Sequence, residues 1–443
     1  MENVFKERSI RGGIKMLTKW LKKGFALSVV LSILLLAACG GNSDKQESAD
    51  GSVELSFWNS WSEDSPENDV MLERVEAFKK AHPEIKLKME SIPPDQYKTK
   101  LKTQAAGKQL PDMIQTWPGA ELRPLVEGGV LMPIDDIVDQ WKDKTIPADT
   151  LKDYAVDGKQ YAIPGNKVFT SIIYYDKDVV AKAGFNEFPT TYADFKTLVN
   201  KLNDQDITPI ALGNKAKWPL QSVYISTIAD RLTGSDFLEK VFAGEKKFTD
   251  KEFVDALGVI QDLTKLKAFN SDANTIDDNQ ASDYFLQGKA AMFVNGTWAL
   301  SGLIGSAPEG KNIGVAKFPA IEGGKGEAAA ISGVTGWGIA LNSEVSDAKK
   351  EAATTFFKFL YDDKTYKNLM TIGTLVPANV EVPEETSALF KETVELTNGG
   401  IAPVYDAVLP AEITDIINNG LQAITIGEST PEKVAKEMQE AVK

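Results

Sequence analysis

Acidic side chains are the most plentiful source of chemistry in this 443-residue chain, with 63 Asp and Glu against 49 Lys and Arg. The adjacent pairs Asp135-Asp136 and Asp277-Asp278 have the residue types of a general acid and its partner. Glycoside hydrolysis needs two carboxylates facing one bond, which adjacency in sequence does not supply. Acids this abundant also fall side by side by chance at solvated helix ends. Asp272, Asn274 and Asp278 have the spacing of calcium-loop ligands, but Ile276 and Asp277 stand where such a loop needs an oxygen ligand and a glycine. One His and one Cys exclude paired-His metal motifs, Cys-rich zinc sites and an intramolecular disulfide. That His, His82, precedes Pro83 at a helix end, where partial positive charge is favourable. Gly333 to Gly338 (GVTGWG) is glycine-rich, but it runs into a strand instead of bridging strand to helix, so it is no dinucleotide fingerprint.

Indole is over-supplied. Trp58, Trp61, Trp117, Trp141, Trp218, Trp298 and Trp337 all lie beyond the N-terminal segment. Trp58 follows Phe57 at a strand end, Trp117 follows the apolar Met113-Ile114, and Trp298 follows the Asn295-Gly296 turn. Ligands of parallel α/β sheets bind beyond the carboxyl ends of strands. Indole faces there stack on the apolar faces of sugar rings and leave the hydroxyls to Asn, Gln, Asp and Glu. Core packing is the competing role for each indole. Trp141, with charged neighbours and no strand end before it, is assigned to the core.

The elements that must position these residues alternate. Val53, Leu55 and Phe57 have the period of a strand. Ser65-Pro66 offers an N-cap and a first-turn proline for a helix that buries Met71, Val75 and Phe78 and stops at Pro83. Ile85, Leu87 and Met89 alternate again, Tyr97, Leu101 and Ala105 recur at helical spacing up to Gly107, and Met113-Ile114 is a short buried strand. This β-α-β-α-β order implies right-handed crossovers and a parallel sheet. Further strands are expected at 171–175, 290–294 and 337–341, with helices opened by boxes at Thr191/Asp194 and Thr249/Glu252 and by Thr430-Pro431. At roughly 150 residues per domain, the length fits two or three lobes. A net charge of −14 argues against nucleic acid as a partner.

The N-terminus reads as an address. Lys15, Lys19, Lys22 and Lys23 precede an apolar run from Phe25 to Leu36, shorter than the roughly 20 residues a membrane span needs. The run ends in Leu36-Ala37-Ala38-Cys39 with Gly40-Gly41 behind it, which resembles a bacterial lipobox whose Cys39 becomes the acylated N-terminus. Met16 would serve as a start as well as Met1. Residues 1–38 hold seven basic and two acidic residues, so the processed chain carries 42 against 61, a net −19. Anionic headgroups repel such a chain, so contact with the membrane rests on the lipid alone. Residues 39–52 read as a flexible Gly/Ser-rich tether of roughly 20 Å r.m.s. reach.

Several stretches fall in family order: GKQLPDMIQTW (107–117), GKQYAIP (158–164), IYYDKDVVAKAG (173–184), GKAAMFVNGTWAL (288–300), GVTGWGIA (333–340) and, after an Ala-rich helix, GTLVP (373–377). The chain in this respect resembles family 1 of the bacterial extracellular solute-binding proteins, the carbohydrate receptors of ABC importers, and within it the maltose-binding branch. Thr191-Tyr192 departs from the usual Thr-Trp, Ile172 stands where a small residue is usual, and residues 185–287 and 378–443 match weakly. The resemblance implies an α/β fold of two lobes, each a mainly parallel sheet flanked by helices, with a ligand cleft at the hinge. The Pro-marked breaks at Pro164-Gly165, Pro319 and Val376-Pro377 then divide the chain into an N-terminal lobe of 53–164 and 319–376 and a C-terminal lobe of 165–318 and 377–443.

Carried over by motif, Trp298 with Asn295 in NGTW becomes the stacking platform of the C-terminal lobe. Thr116 and Trp117 follow the PD strand, and Asn166 falls on the first hinge crossing. Trp58, Asn59, Trp61 and Glu63 form the first loop of the N-terminal lobe. Trp337 faces the cleft and Trp218 opens a helix of the C-terminal lobe. The implied function is a monomeric, lipid-anchored sugar or oligosaccharide receptor that delivers to an ABC permease, without cofactor, metal or catalysis. A charged solute such as a polyamine on the same fold, or a secreted carbohydrate-active enzyme, are the alternatives.

Overall fold

A computed structural model describes residues 51–62, 65–139, 141–142 and 146–442. The expected leader, Cys39, most of the expected tether and Glu63 therefore lie outside the described residues. The main compact unit begins at Glu54.

The first half of the chain follows the expected alternation. β1 (Val53–Asn59) buries Leu55 and Phe57, and α1 (Pro66–Ala81) opens with the Ser65 side chain accepting the Asn68 N–H at 3.2 Å. Met71, Val75 and Phe78 form its buried face, and His82 closes it while stacking on Phe78. β2 (Ile85–Ser91), α2 (Pro94–Ala106) and β3 (Met113–Thr116) follow, with Tyr97 and Leu101 turned inward from α2. Three strands come next in quick succession: β4 (Ala162–Pro164), β5 (Lys167–Phe169) and β6 (Ile172–Asp176). α3 (Tyr192–Asn203), capped by Thr191, leads to β7 (Thr208–Ala211). A π-helical turn at 220–225 runs into α4 (Ser226–Thr233), and α5 (Lys251–Lys265), α6 (Asp278–Leu286) and β8 (Ala290–Asn295) follow. The remainder includes β9 (Ile313–Lys317), β10 (Ile331–Thr335), β11 (Gly338–Leu341), α7 (Asp347–Leu360), α8 (Asp363–Thr371), β12 (Ile401–Ala402), α9 (Tyr405–Val408), α10 (Ala411–Thr425) and α11 (Pro431–Glu440).

One sheet has the order β2-β1-β3-β11-β4 and a second the order β9-β6-β8-β7. Helices cover both faces of the second. Ile173, Met292 and Ile210 point into one core with Leu198, Ile228, Leu257 and Ile417, while Tyr174 and Phe293 point into another with Phe285 and Leu300. Both sheets are mixed rather than mainly parallel. β1 pairs parallel with β3, but β11 runs antiparallel to both β3 and β4. In the other sheet β8 is parallel to β7 and antiparallel to β6, which is also antiparallel to β9. The antiparallel members enter from the opposite sheet or by short returns, so the right-handed βαβ rule does not govern them.

β12, β10 and β5 form a short third ladder between these sheets. The chain passes from the first sheet into this ladder at Gly165-Asn166, between β4 and β5, and returns at Gly336-Trp337, between β10 and β11. A third strand of chain lies alongside after α8, where Lys167 N–H donates to Leu375 O at 2.9 Å. Pro319, expected to mark a crossing, does not: Phe318 packs in the core of the second sheet and Ala320 bonds Thr190 and Tyr192. The loop beyond is fastened there by the buried Arg231, whose guanidinium donates to the carbonyls of Glu327 and Ala330 at 2.8 and 2.7 Å.

One expected cap is replaced. Asp250, not Thr249, stands at the N-cap of α5, and the Glu252 carboxylate takes Lys325 and Lys246 at 2.8 and 3.0 Å. Trp141 meets Tyr361 edge-on at 6.5 Å and is buried, the role its context implied.

Candidate functional site

β8 ends in Asn295, and one 3-10 turn, Thr297–Ala299, sets Trp298 half-buried at the strand end. The indole lies back over Gly296, where an added Cβ would fall 2.0 Å from its ring carbons, so glycine is required beneath it. Trp298 meets Trp218 edge-on with ring centroids 5.7 Å apart. Its Nε1 donates to Asp278 Oδ2 at 3.4 Å, while Asn295 Nδ2 donates to both oxygens of that carboxylate at 2.9 Å. Asp278 stands in the first turn of α6 because Asp277 caps the helix in a reciprocal box with Gln280, and a helix N-terminus favours an anion. Burial pushes the Asp278 pKa up to about 6; the bonds from Asn295 and Trp298 pull it down, and the charges of Asp95 and Asp277 add to the rise.

Asp95 belongs to α2, on the other side of the molecule's division into sheets, and so does the facing wall. Lys98 of α2 lies 4.7 Å over the Trp117 ring and 5.9 Å from that of Trp218, so one ammonium links an indole from each core. Glu121 stands 3.8 Å from the same ammonium. Trp117 is braced edge-on by Tyr97, whose hydroxyl donates to Gln115 O at 2.6 Å. Beyond Trp218, the Ser222 hydroxyl donates to Asp406 at 3.3 Å. Burial raises the Asp406 pKa, Lys98 lowers it and Glu121 raises it. At this edge the walls touch: Ala120 N–H donates to Asp406 O at 3.0 Å, and Gly119, at φ +67°, leaves space for Ala407 O only 2.3 Å from where a Cβ would be. The π-helical turn between the walls buries the Gln221 amide and the Tyr224 hydroxyl without protein partners. Such turns are frequent at functional sites.

Trp117, Trp218, Trp298 and Asn295 thus come together, with Lys98, Asp278, Ser222 and Asp406 added. The other expected residues go elsewhere. Trp58 packs on α2 with Lys100 3.9 Å over its ring. Asn59 is fully buried, its Oδ1 accepting from Trp61 N–H and Ser91 Oγ, and it shapes the first loop. Trp61, expected to face the cleft, is 2% exposed between Phe57 and Trp337. Trp337 is likewise buried, its Nε1 donating to Glu67 at 2.8 Å. Thr116 is buried in β3, and Asn166 bonds Glu67 at the first crossing. These six residues have the alternation and turn positions of site residues, but their side chains go to α2, the sheet core or the crossings. Nothing in the sequence marked Lys98 among its neighbouring lysines, and Asp278 was visible only as half of an acidic pair and as one member of a calcium-loop-like spacing. The Asp272, Asn274 and Asp278 side chains bond Tyr284, Thr425 and Asn295 respectively, so they do not converge as a calcium loop.

Flat indole faces beside carboxylate acceptors suit a ring whose faces are apolar and whose edge carries hydroxyls. Two sheet-bearing halves, joined by repeated chain crossings and meeting at such a wall, have the two-lobed architecture of the periplasmic-binding-protein fold. The profile of the bacterial extracellular solute-binding proteins matches residues 64–367, and the chain belongs to that family. It is 26% identical over 279 residues to an uncharacterised ABC-transporter extracellular-binding protein of Pyrococcus horikoshii, covering 61% of this chain and 62% of that one. The chain therefore spans less than two thirds of that relative's length. It is 26% identical over 321 residues to the multiple sugar-binding protein of Streptococcus mutans, covering 70% and 72% of the two chains. Among solved structures, a chitin oligosaccharide binding protein shares the fold with a TM-score of 0.81 at 23% identity, over 88% of this chain and 98% of its own.

Proposed function

We propose that the protein is the substrate-binding component of an ABC importer, capturing a sugar or oligosaccharide between its lobes and delivering it to a membrane permease without chemical change. The observation that carries this reading is the row Trp117–Lys98–Trp218–Trp298, which spans both halves and ends on the Asp278 acceptor. The family and the sugar-binding names among its relatives support it. The lysine between two indoles disfavours a polyamine, which the acidic wall alone would attract. In this reading residues 54–164 with 337–374 form one lobe and 166–335 with 377–442 the other.

A calorimetric screen of oligosaccharides should give one-site binding to at least one of them, with the ligand recovered intact and the radius of gyration reduced on saturation. Absence of binding across the panel, or hydrolysis of the ligand, would overturn the reading. Asp278 adds a sign. Above about pH 6 its carboxylate accepts hydroxyls, and below it protonation removes that acceptor, so affinity should weaken between pH 7.5 and 5. Asp278→Asn should flatten the profile. Stability moves the other way: the folded value lies above the ordinary 3.8, so the folded chain holds the proton more tightly and this group's contribution falls as pH rises from 3.8 towards 6.

The same reading places the receptor on the outer membrane face through acylated Cys39, supported by the lipobox and by the extracellular character of the family. Cys39→Ala should block acylation and the maturation that depends on it. A variant that is still processed and still fractionates with membranes would remove the anchor.

A further inference from the structure

We propose that Glu67 is the positioning residue of the hinge, setting the angle between the lobes by bonding all three chain segments that run between the sheets. It occupies the first turn of α1, yet its side chain turns inward and the residue is only 8% exposed. Oε1 accepts from Asn166 Nδ2 at 3.0 Å and from Trp337 Nε1 at 2.8 Å, and Oε2 accepts from Thr374 Oγ1 at 3.2 Å. Each donor comes from a different crossing: Asn166 from β4–β5, Trp337 from β10–β11, and Thr374 from the strand of chain whose next residue bonds Lys167. The first two crossings are also tied to each other, with Asn166 Oδ1 accepting Trp337 N–H at 3.1 Å and Asn166 O accepting Gly336 N–H at 2.9 Å.

A buried carboxylate served by three neutral donors is an expensive choice for mere packing. Its return is geometric. Two oxygens and three donors on separate segments are satisfied together at one arrangement of the crossings, and the N-terminus of α1 supplies the favourable field. That arrangement is the one in which Ala120 of one half bonds Asp406 of the other. Glu67 therefore favours approach of the lobes, and loosening it favours separation.

The affinity arm of the test rests on the sugar-receptor reading, whereas the scattering arm needs no ligand. Full-length wild type, Glu67→Gln and Glu67→Ala are compared by small-angle scattering, Trp emission, thermal melting and, with the best oligosaccharide from the screen, calorimetry. The isosteric Gln variant is expected to fold, to shift Trp emission through the Trp337 indole, and to enlarge the radius of gyration of the free protein. Its Kd should rise about 10-fold, the effect of losing a charge-assisted set of bonds in the closed form, with saturating ligand restoring the compact radius. If the melt drops while radius and Kd stay at wild-type values, Glu67 is structural and the proposal fails. If Glu67→Ala does not fold, the Gln variant decides. Should wild type bind no oligosaccharide, the receptor reading fails, and the free-protein radius still tests the hinge.

Discussion

Replacing Trp298 with alanine is expected to weaken oligosaccharide binding by roughly 5- to 200-fold while leaving the fold nearly intact. One ring stacked on a sugar in a dry cleft contributes on the order of 1–3 kcal/mol, by analogy with buried aromatic anchors at interfaces, and each 1.4 kcal/mol is about tenfold. The indole is half-buried at a strand end, not enclosed, and its removal leaves Asp278 the two bonds from Asn295. A fully buried aromatic would behave otherwise, costing about 3–5 kcal/mol of stability on truncation. Trp298 does touch the core and the edge of Trp218, so a small fall in Tm is expected. Calorimetry and melting on the same variant separate the two roles. A collapsed melt with normal binding by the folded fraction would make Trp298 a core residue.

Gly119→Val should reduce affinity by at least about 30-fold. Gly119 takes a φ of +67°, where an L side chain costs roughly 1–2 kcal/mol, and its missing Cβ is the space that Ala407 occupies. Leu122, just beyond it, belongs to the core beside β3, and Tyr405 and Leu409 on either side of Ala407 belong to the core of the second sheet. A valine there acts as a wedge between the two halves while leaving both cores filled. The closed arrangement is blocked, and ligand contacts that need both walls are lost together, which makes the loss larger than that of a single weak contact. Melting should move by only a few degrees. Binding at the wild-type affinity would show that the Ala120–Asp406 contact plays no part in holding the ligand.

Local signals in the sequence were read correctly because local chemistry decides them. Ser65, Thr191 and Thr430 each cap the helix expected, and Ala290 to Val294 is a strand because an unbroken apolar run needs a sheet covered on both faces. Thr249 is not the cap its spacing implied: Asp250 takes the N-cap, and Glu252 pairs with two lysines, one from a distant loop. The candidate site divided along the same line. Trp117, Trp218 and Trp298 sit at strand ends or turns and meet, since sheet architecture places such ends together. Trp61 and Trp337 have equally suggestive positions, but their packing depends on the crossing of strands far apart in sequence. Lys98 acquires its place only when Trp117 and Trp218 arrive from different cores, which no window of sequence contains.

The position of β11 also governs the order in which the chain can assemble. Gly338–Leu341 is inserted between β3, which ends at Thr116, and β4, which ends at Pro164, although it is made long after both. During synthesis β1 and β3 can pair, but the other edge of β3, whose four residues are all buried in the finished sheet, stays open until Leu341 has emerged. An open strand edge invites pairing with the wrong chain, and closing it requires a contact of long sequence separation, which is slow. The first sheet is thus completed by filling an interior gap after both of its edge strands have been made, and the nascent chain carries an unfinished lobe for most of its length.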